Sequence, residues 1–169
     1  MSIQFDVKQA HINASGFLVL GRTRVKGISF TGSATAGSVT LFDTTAAPVT
    51  TATYDRVGTL VTVTATAHGL VTGDVIGVDF AAGTGGTATN GNYAITRVNA
   101  NSFTLVDINT GSITAGATMA YATRWLLTFD VAASDSFNNA PVVPPDGVLA
   151  RNGVYALLTN VVAANIFYG

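Results

Sequence analysis

Apolar and polar residues alternate along most of this chain with a period of two. Arg22-Thr23-Arg24-Val25-Lys26 sets Thr23 and Val25 against three basic side chains, and Leu60-Val61-Thr62-Val63-Thr64-Ala65-Thr66 sets Val61, Val63 and Ala65 against three threonines. Such alternation sends successive side chains to opposite faces of a strand. Ile3–Lys8 has the same texture, and the apolar run within Ser15–Leu20 predicts a mostly buried strand that Gly21 ends. Further strands are predicted over Arg22–Phe30, Ser38–Asp43, Val75–Phe80, Asn92–Val98, Ser102–Ile108, Thr118–Arg124, Trp125–Asp130, Val154–Thr159 and Val161–Phe167. Gly, Asn, Asp and Pro mark the turns between them: Thr31–Gly37, Asp43–Pro48, His68-Gly69-Leu70, Thr72-Gly73-Asp74, Asn99-Ala100-Asn101, Asn109–Gly116 and Pro144–Gly147. Val131–Pro141 reads as a polar loop, and Arg151-Asn152-Gly153 as a hairpin turn between Val148–Leu149 and Val154–Thr159. No segment sustains a helical period.

Arg22–Phe42 and Arg124–Phe129 have strand character that suits pairing, yet a long stretch with its own strands and turns separates them. A nested domain enters a loop tip, where the outer chain leaves and returns at nearly one point. The predicted fold is therefore all-β. A small antiparallel sandwich or barrel is formed by residues 1–54 with 124–169, and a second small β-domain, 55–123, is inserted into it.

Composition sharpens this picture. Charged residues make up 10% of the 169, against roughly a quarter in an average soluble domain. There is no Glu, and the acids are all Asp, so solvating helix formers are scarce. A surface this poor in charge predicts cover by other subunits, a homo-oligomer or copies bound to a lattice. The net charge of −1 offers no footprint for nucleic acid, and no apolar run approaches the length of a membrane helix. Met1–Asp6 lacks the basic start and apolar core of a secretion signal. With no cysteine, disulfides and thiolate chemistry are excluded.

The candidate chemistry is thin. His11 and His68 are the only histidines and have no ligand-spaced partner; His68 reads as a turn residue. Gly83-Thr84-Gly85-Gly86 lacks the lysine and following helix of a phosphate loop. Asp107-Ile108-Asn109-Thr110-Gly111 stops short of a calcium loop, because no Glu closes it. Asp74 and Asp79, and Asp130 and Asp135, do not form a convincing acid–base pair, and Asn13-Ala14-Ser15 is a bare glycosylation triplet. The expectation is no catalytic residue, no metal and no cofactor. One concentration of charge stands out: Arg22, Arg24 and Lys26 share one strand face, either a solvated face or a docking face for an acidic partner. At the other end, Phe167 and Tyr168 point to opposite sides of an extended segment, so one can serve a core and the other a partner.

Val61-Thr62-Val63-Thr64, Ala67-His68-Gly69-Leu70, Thr72-Gly73-Asp74-Val75, Asn90-Gly91-Asn92-Tyr93 and Asn101-Ser102-Phe103-Thr104-Leu105 together resemble a small β-domain of tailed-phage structural proteins. That domain is itself known for its likeness to the first catalytic-cysteine half-domain of ubiquitin-activating enzyme, a likeness that carries no catalytic residue. The flanks are similar to short virion proteins of tailed phages of aquatic bacteria. They match at Gly21–Ile28, Ala36–Asp43, Pro145–Leu149, Tyr155–Asn160 and Ile166–Gly169. The resemblance implies an insertion between the Asp43 strand and the Trp125 strand. It further implies a structural part of the virion rather than an enzyme. The function expected is a capsid decoration or cement protein on the outer surface of a phage head, with the major capsid protein as partner. The alternative is a tail or fibre component, with tail proteins as partners, that contacts the host cell and binds glycan. The expected docking residues are Arg22, Arg24, Lys26, Phe167 and Tyr168.

Overall fold

The computed structural model describes residues 7–141 and 146–169. The strand predicted over Ile3–Lys8 and the Pro144-Pro145 part of the predicted turn fall mostly outside these residues. The chain is all-β, with fourteen strands and no helix among the described residues. They are β1 Lys8–Ile12, β2 Gly16–Leu20, β3 Thr23–Gly32, β4 Gly37–Asp43, β5 Val49–Thr64, β6 Val75–Phe80 and β7 Gly91–Ala94. β8 Thr96–Asn99, β9 Ser102–Ala122, β10 Arg124–Val131, β11 Ser136–Pro141, β12 Val148–Ala150, β13 Gly153–Thr159 and β14 Val161–Tyr168 follow.

Two compact units result, residues 1–47 with 126–169 and residues 48–125. Residues 48–54, assigned above to the flanking part, go with the inserted unit. The reason is that Val49, Ala52, Thr53 and Tyr54 of β5 pair with Tyr121, Met119, Thr118 and Ala117 of β9.

The first unit is a sandwich of two sheets. One has the order β1-β14-β3-β11, with β12 sharing the β11 edge of β3; the other has the order β10-β4-β13-β2. Val25, Ile28, Phe30 and Ile166 from the first sheet meet Val39, Leu41, Val154 and Ala156 from the second in one core. Strict alternation along β3 breaks at Lys26, which is an extra residue: Tyr168 pairs with Val25 and Phe167 with Gly27. This bulge changes the phase, so Thr23 and Val25 face the core before it and Ile28 and Phe30 after it.

Two predicted connections are corrected here. Val131–Pro141 is not all loop, because β11 pairs with β3 from Ser136↔Thr31 to Pro141↔Gly27. Its polar asparagines and terminal proline mask an edge strand, the place where proline is tolerated in a sheet. Arg151-Asn152-Gly153 is not a hairpin turn either. β12 pairs with β3 in one sheet, whereas β13 pairs with β2 and β4 in the other. The buried Asp43 carboxylate fixes this crossing by accepting the amides of Arg151 (2.9 Å), Asn152 (2.8 Å) and Gly153 (3.3 Å).

In the second unit, β9 runs unbroken through Asn109–Gly116, predicted as a turn, because β5 accompanies it almost throughout. Three register shifts and the positive φ of Gly58 and Gly111, which pair with each other, absorb the irregularity. The predicted strand Asn92–Val98 is divided at Ile95: β7 pairs with β6, and β8 with the first half of β9. Tyr54, Val61, Val63, Val78, Ile95, Phe103 and Leu105 fill the core.

β6 passes very close to the returning chain at Gly77, where an added Cβ would lie 1.7 Å from the Trp125 nitrogen. Gly77→Ala should therefore lower stability by at least ~1–3 kcal/mol, the scale of overpacking against a backbone that cannot retreat. Gly16→Ala, with open space around the new methyl, should stay within about 0.5 kcal/mol. Urea denaturation of the two variants checks the contrast.

Candidate functional site

Pairing of β3 with β14 brings the two groups of candidate docking residues together. Tyr168 lies opposite Val25 and Phe167 opposite Gly27, while Gly169 and Arg24 exchange backbone hydrogen bonds of 3.0 and 3.1 Å. Ile166 is fully buried, so its neighbour Phe167 points to the outer face of the sheet, half-buried. Tyr168 falls on the Ile166 side and is also half-buried. Arg24 shares the outer face with Phe167, and Lys26 stands in the bulge between them. Arg22 is exposed and precedes the strand. Arg24 is partly engaged within its own chain, since its Nη1 donates to the carbonyls of Gly147 (3.1 Å) and Asp146 (3.4 Å).

A polar row missed in the sequence lies on that same face. His11, Asn165 and Ser29 are in register across β1, β14 and β3. Gln9 Nε2 donates to Asn165 Oδ1 at 3.0 Å, His11 Nδ1 meets the same oxygen at 2.8 Å, and Asn165 Nδ2 donates to Ser29 Oγ at 3.1 Å. The Asn165 oxygen can only accept, so in this contact His11 donates from Nδ1. Three distant segments supply these side chains, and the alternation of Gln9 and His11 was the single local hint.

The second unit contains a buried ion pair. Arg56 Nη1 donates to Asp107 Oδ2, the two side chains being 6% and 0% exposed. Asp107 also accepts the amides of Thr89 and Asn109, each at 3.3 Å. Burial alone would raise the Asp107 carboxyl. The hydrogen bonds from Thr89, Asn109 and Arg56 outweigh burial and hold the group below its ordinary value. The segment that resembled a calcium loop thus already has a cation, the guanidinium of Arg56. Burial keeps the Tyr54 and Tyr93 phenols above their ordinary value, and the Asp107 charge pushes the same way. As donors they tie down the neighbouring loop, Tyr54 to the Ala81 carbonyl and Tyr93 to the Thr89 carbonyl, both at 2.7 Å.

His68 is a turn residue. Its Nδ1 accepts the Leu70 amide at 3.0 Å, its Nε2 lies 3.0 Å from the Asn99 carbonyl, and its ring meets Phe103 edge-on. Asp74 accepts the Val71 amide, and Asp79 accepts the Asn90 side-chain amide, so each of the two is engaged locally. Among the described residues, no group of three or more His, Cys, Asp or Glu could hold a metal ion. On the outer face of the β5–β9 ribbon, Leu60 and Val106 are cross-strand partners, exposed by 47% and 63%. Val57 and Ile108 nearby are exposed by 71% and 78%.

Comparison with protein-family models, curated proteins and solved structures finds no match for this chain.

Two substitutions test the buried groups. Asp107→Asn leaves the guanidinium without its counter-charge and should cost about 3–5 kcal/mol at neutral pH. The wild-type carboxyl is lowered on folding, so its contribution is complete above the unfolded value. It is lost as the pH falls below about 4, through the lowered folded value. The variant should lack that part of the acid loss, read from urea midpoints across the acid range. His68→Ala removes two hydrogen bonds from a half-exposed turn and should cost about 1–2 kcal/mol by the same assay.

Proposed function

We propose that this protein is a virion structural protein, a capsid decoration or cement protein bound to the outer surface of a phage head. The observation that carries the reading is the outer face of the β1-β14-β3-β11 sheet, where an outward aromatic, Phe167, adjoins the basic Arg24 and Lys26. An aromatic beside an arginine matches residue types enriched at interfaces, and the basic groups suit an acidic partner surface. The motif resemblance of both parts of the chain to tailed-phage virion proteins points the same way. So do the exposed Val57, Leu60, Val106 and Ile108 on a chain this poor in charge. The major capsid protein is the partner, and many weak contacts become effective through the repeating lattice.

The polar row favours a second reading, a tail or fibre component that binds glycan. Gln9, His11, Asn165 and Ser29 hold polar donors and acceptors in one hydrogen-bonded row on the face of Phe167, with Gln9 opposite Phe167 in register, which suits sugar hydroxyls.

The readout is copy number on purified particles after adding protein to particles that lack it. A decoration protein fills positions of the head lattice; a tail component follows the rotational symmetry of the tail. Phe167→Asp would bury an unpaired charge on docking and should abolish occupancy while the free protein still melts cooperatively. Replacing Arg24 and Lys26 by Ala should weaken binding mainly at low ionic strength. Full occupancy by the Phe167→Asp variant would remove this face from the interface.

A further inference from the structure

β5 is hydrogen-bonded along one edge only. Its partner is β9 throughout, and its other edge has no ladder partner among the described residues. Natural sheets protect such edges with charge, proline, brevity or a cover. The other short edges of this sheet have such devices. β7 spans four residues, and its Asn92 side chain closes on the backbone of Trp125 through hydrogen bonds of 3.0 and 2.8 Å. β8 spans four residues and includes Arg97. β5 is sixteen residues long, and from Val57 to Thr64 it holds neither a charge nor a proline. Its register with β9 is unbroken from Leu60↔Val106 to Thr64↔Ser102, so the last five residues form a regular, unguarded edge.

We infer that this edge pairs with the same edge of a second copy, antiparallel about a two-fold axis through Thr62. The occupant follows from self-complementarity. Reversing Leu60-Val61-Thr62-Val63-Thr64 about its centre places each core-facing Val61 beside the partner's Val63. It sets Thr62 against its own copy and Leu60 against Thr64 on the outer face. No charge opposes the approach, and no Cβ projects at Gly58, around which the space is open. Five residues of edge cover far less than the roughly 800 Å² per partner of a standard stable interface. The dimer is therefore weak and concentration-dependent, and closely spaced copies would strengthen it.

Sedimentation equilibrium of the full chain over a wide concentration range tests the pairing. The wild type should pass from monomer to dimer. L60K/T64K puts like charges opposite each other twice and should weaken association by about tenfold or more. L60K/T64D places opposite charges in the same two positions and should restore it. Hydrogen exchange supplies a second readout on the unmodified protein, in which amides of Leu60–Thr64 should gain protection as concentration rises. A wild type that stays monomeric at millimolar concentration, or association indifferent to both double variants, overturns the inference. Dimerisation with no concentration-dependent protection in Leu60–Thr64 would place the contact elsewhere and overturn it equally. None of these outcomes depends on what the protein is attached to.

Discussion

Water is excluded from a guanidinium and a carboxylate where the long β5–β9 ribbon changes register, and the second unit is organised around that pair. The register of β5 with β9 shifts on both sides of the Gly58–Gly111 pair, and these two glycines supply the backbone freedom there. Arg56 and Asp107 sit beside them, one on each strand, so neither can move without stranding a buried charge. Asp107 reaches further, through the Thr89 amide, to the loop that Tyr54 and Tyr93 also hold. A buried pair of this kind adds little net stability compared with apolar packing. Its effect is to make other registers of the ribbon costly. The Arg56 Nε has no partner, which shows that the pair is imperfectly compensated.

The flanking sandwich relies on a single carboxylate in a comparable way. Asp43 ends β4 and gathers three successive amides from the segment where the chain leaves one sheet for the other. Asp43 supplies the acceptor for all three donors at the crossing, and a buried amide without a partner is costly. The bulge at Lys26 solves a different problem. It lets one strand present small and β-branched residues to one end of the core and Ile28 and Phe30 to the other, while Lys26 itself is displaced toward the outer face.

Period-two alternation made the strand content legible, because Thr and Val on a half-buried sheet leave a plain pattern. It was clearest at Val61 and Val63 and in the first half of β3. The pattern failed where the backbone departs from regular pleating. Asn109, Gly111 and Gly116 made 109–116 read as a turn, although inside a bulged strand the two glycines supply unusual φ values without ending the ladder. Arg151-Asn152-Gly153 read as a hairpin because turn chemistry is local, whereas the choice of sheet depends on Asp43, more than a hundred residues away. The candidate docking residues were named from local spacing. That β3 and β14 are neighbours, and that Gln9, His11, Asn165 and Ser29 form one row, depends on topology no single segment encodes.

The pairing of Val49 with Tyr121 has a consequence for the order in which the chain folds. β4 and β10 lie side by side in the sandwich but are separated in sequence by the whole of the inserted unit. Closing so long a flexible loop before any native contact forms carries an entropic cost that grows with its length. Once β5 and β9 have zipped together, the two ends of the insert already lie side by side, and the effective loop shrinks to a few residues. The closure term for the sandwich then falls by about 2–3 kcal/mol. The inserted unit thus acts as a clamp on the topology of the chain that surrounds it, and nucleation within 48–125 becomes the faster route to the whole.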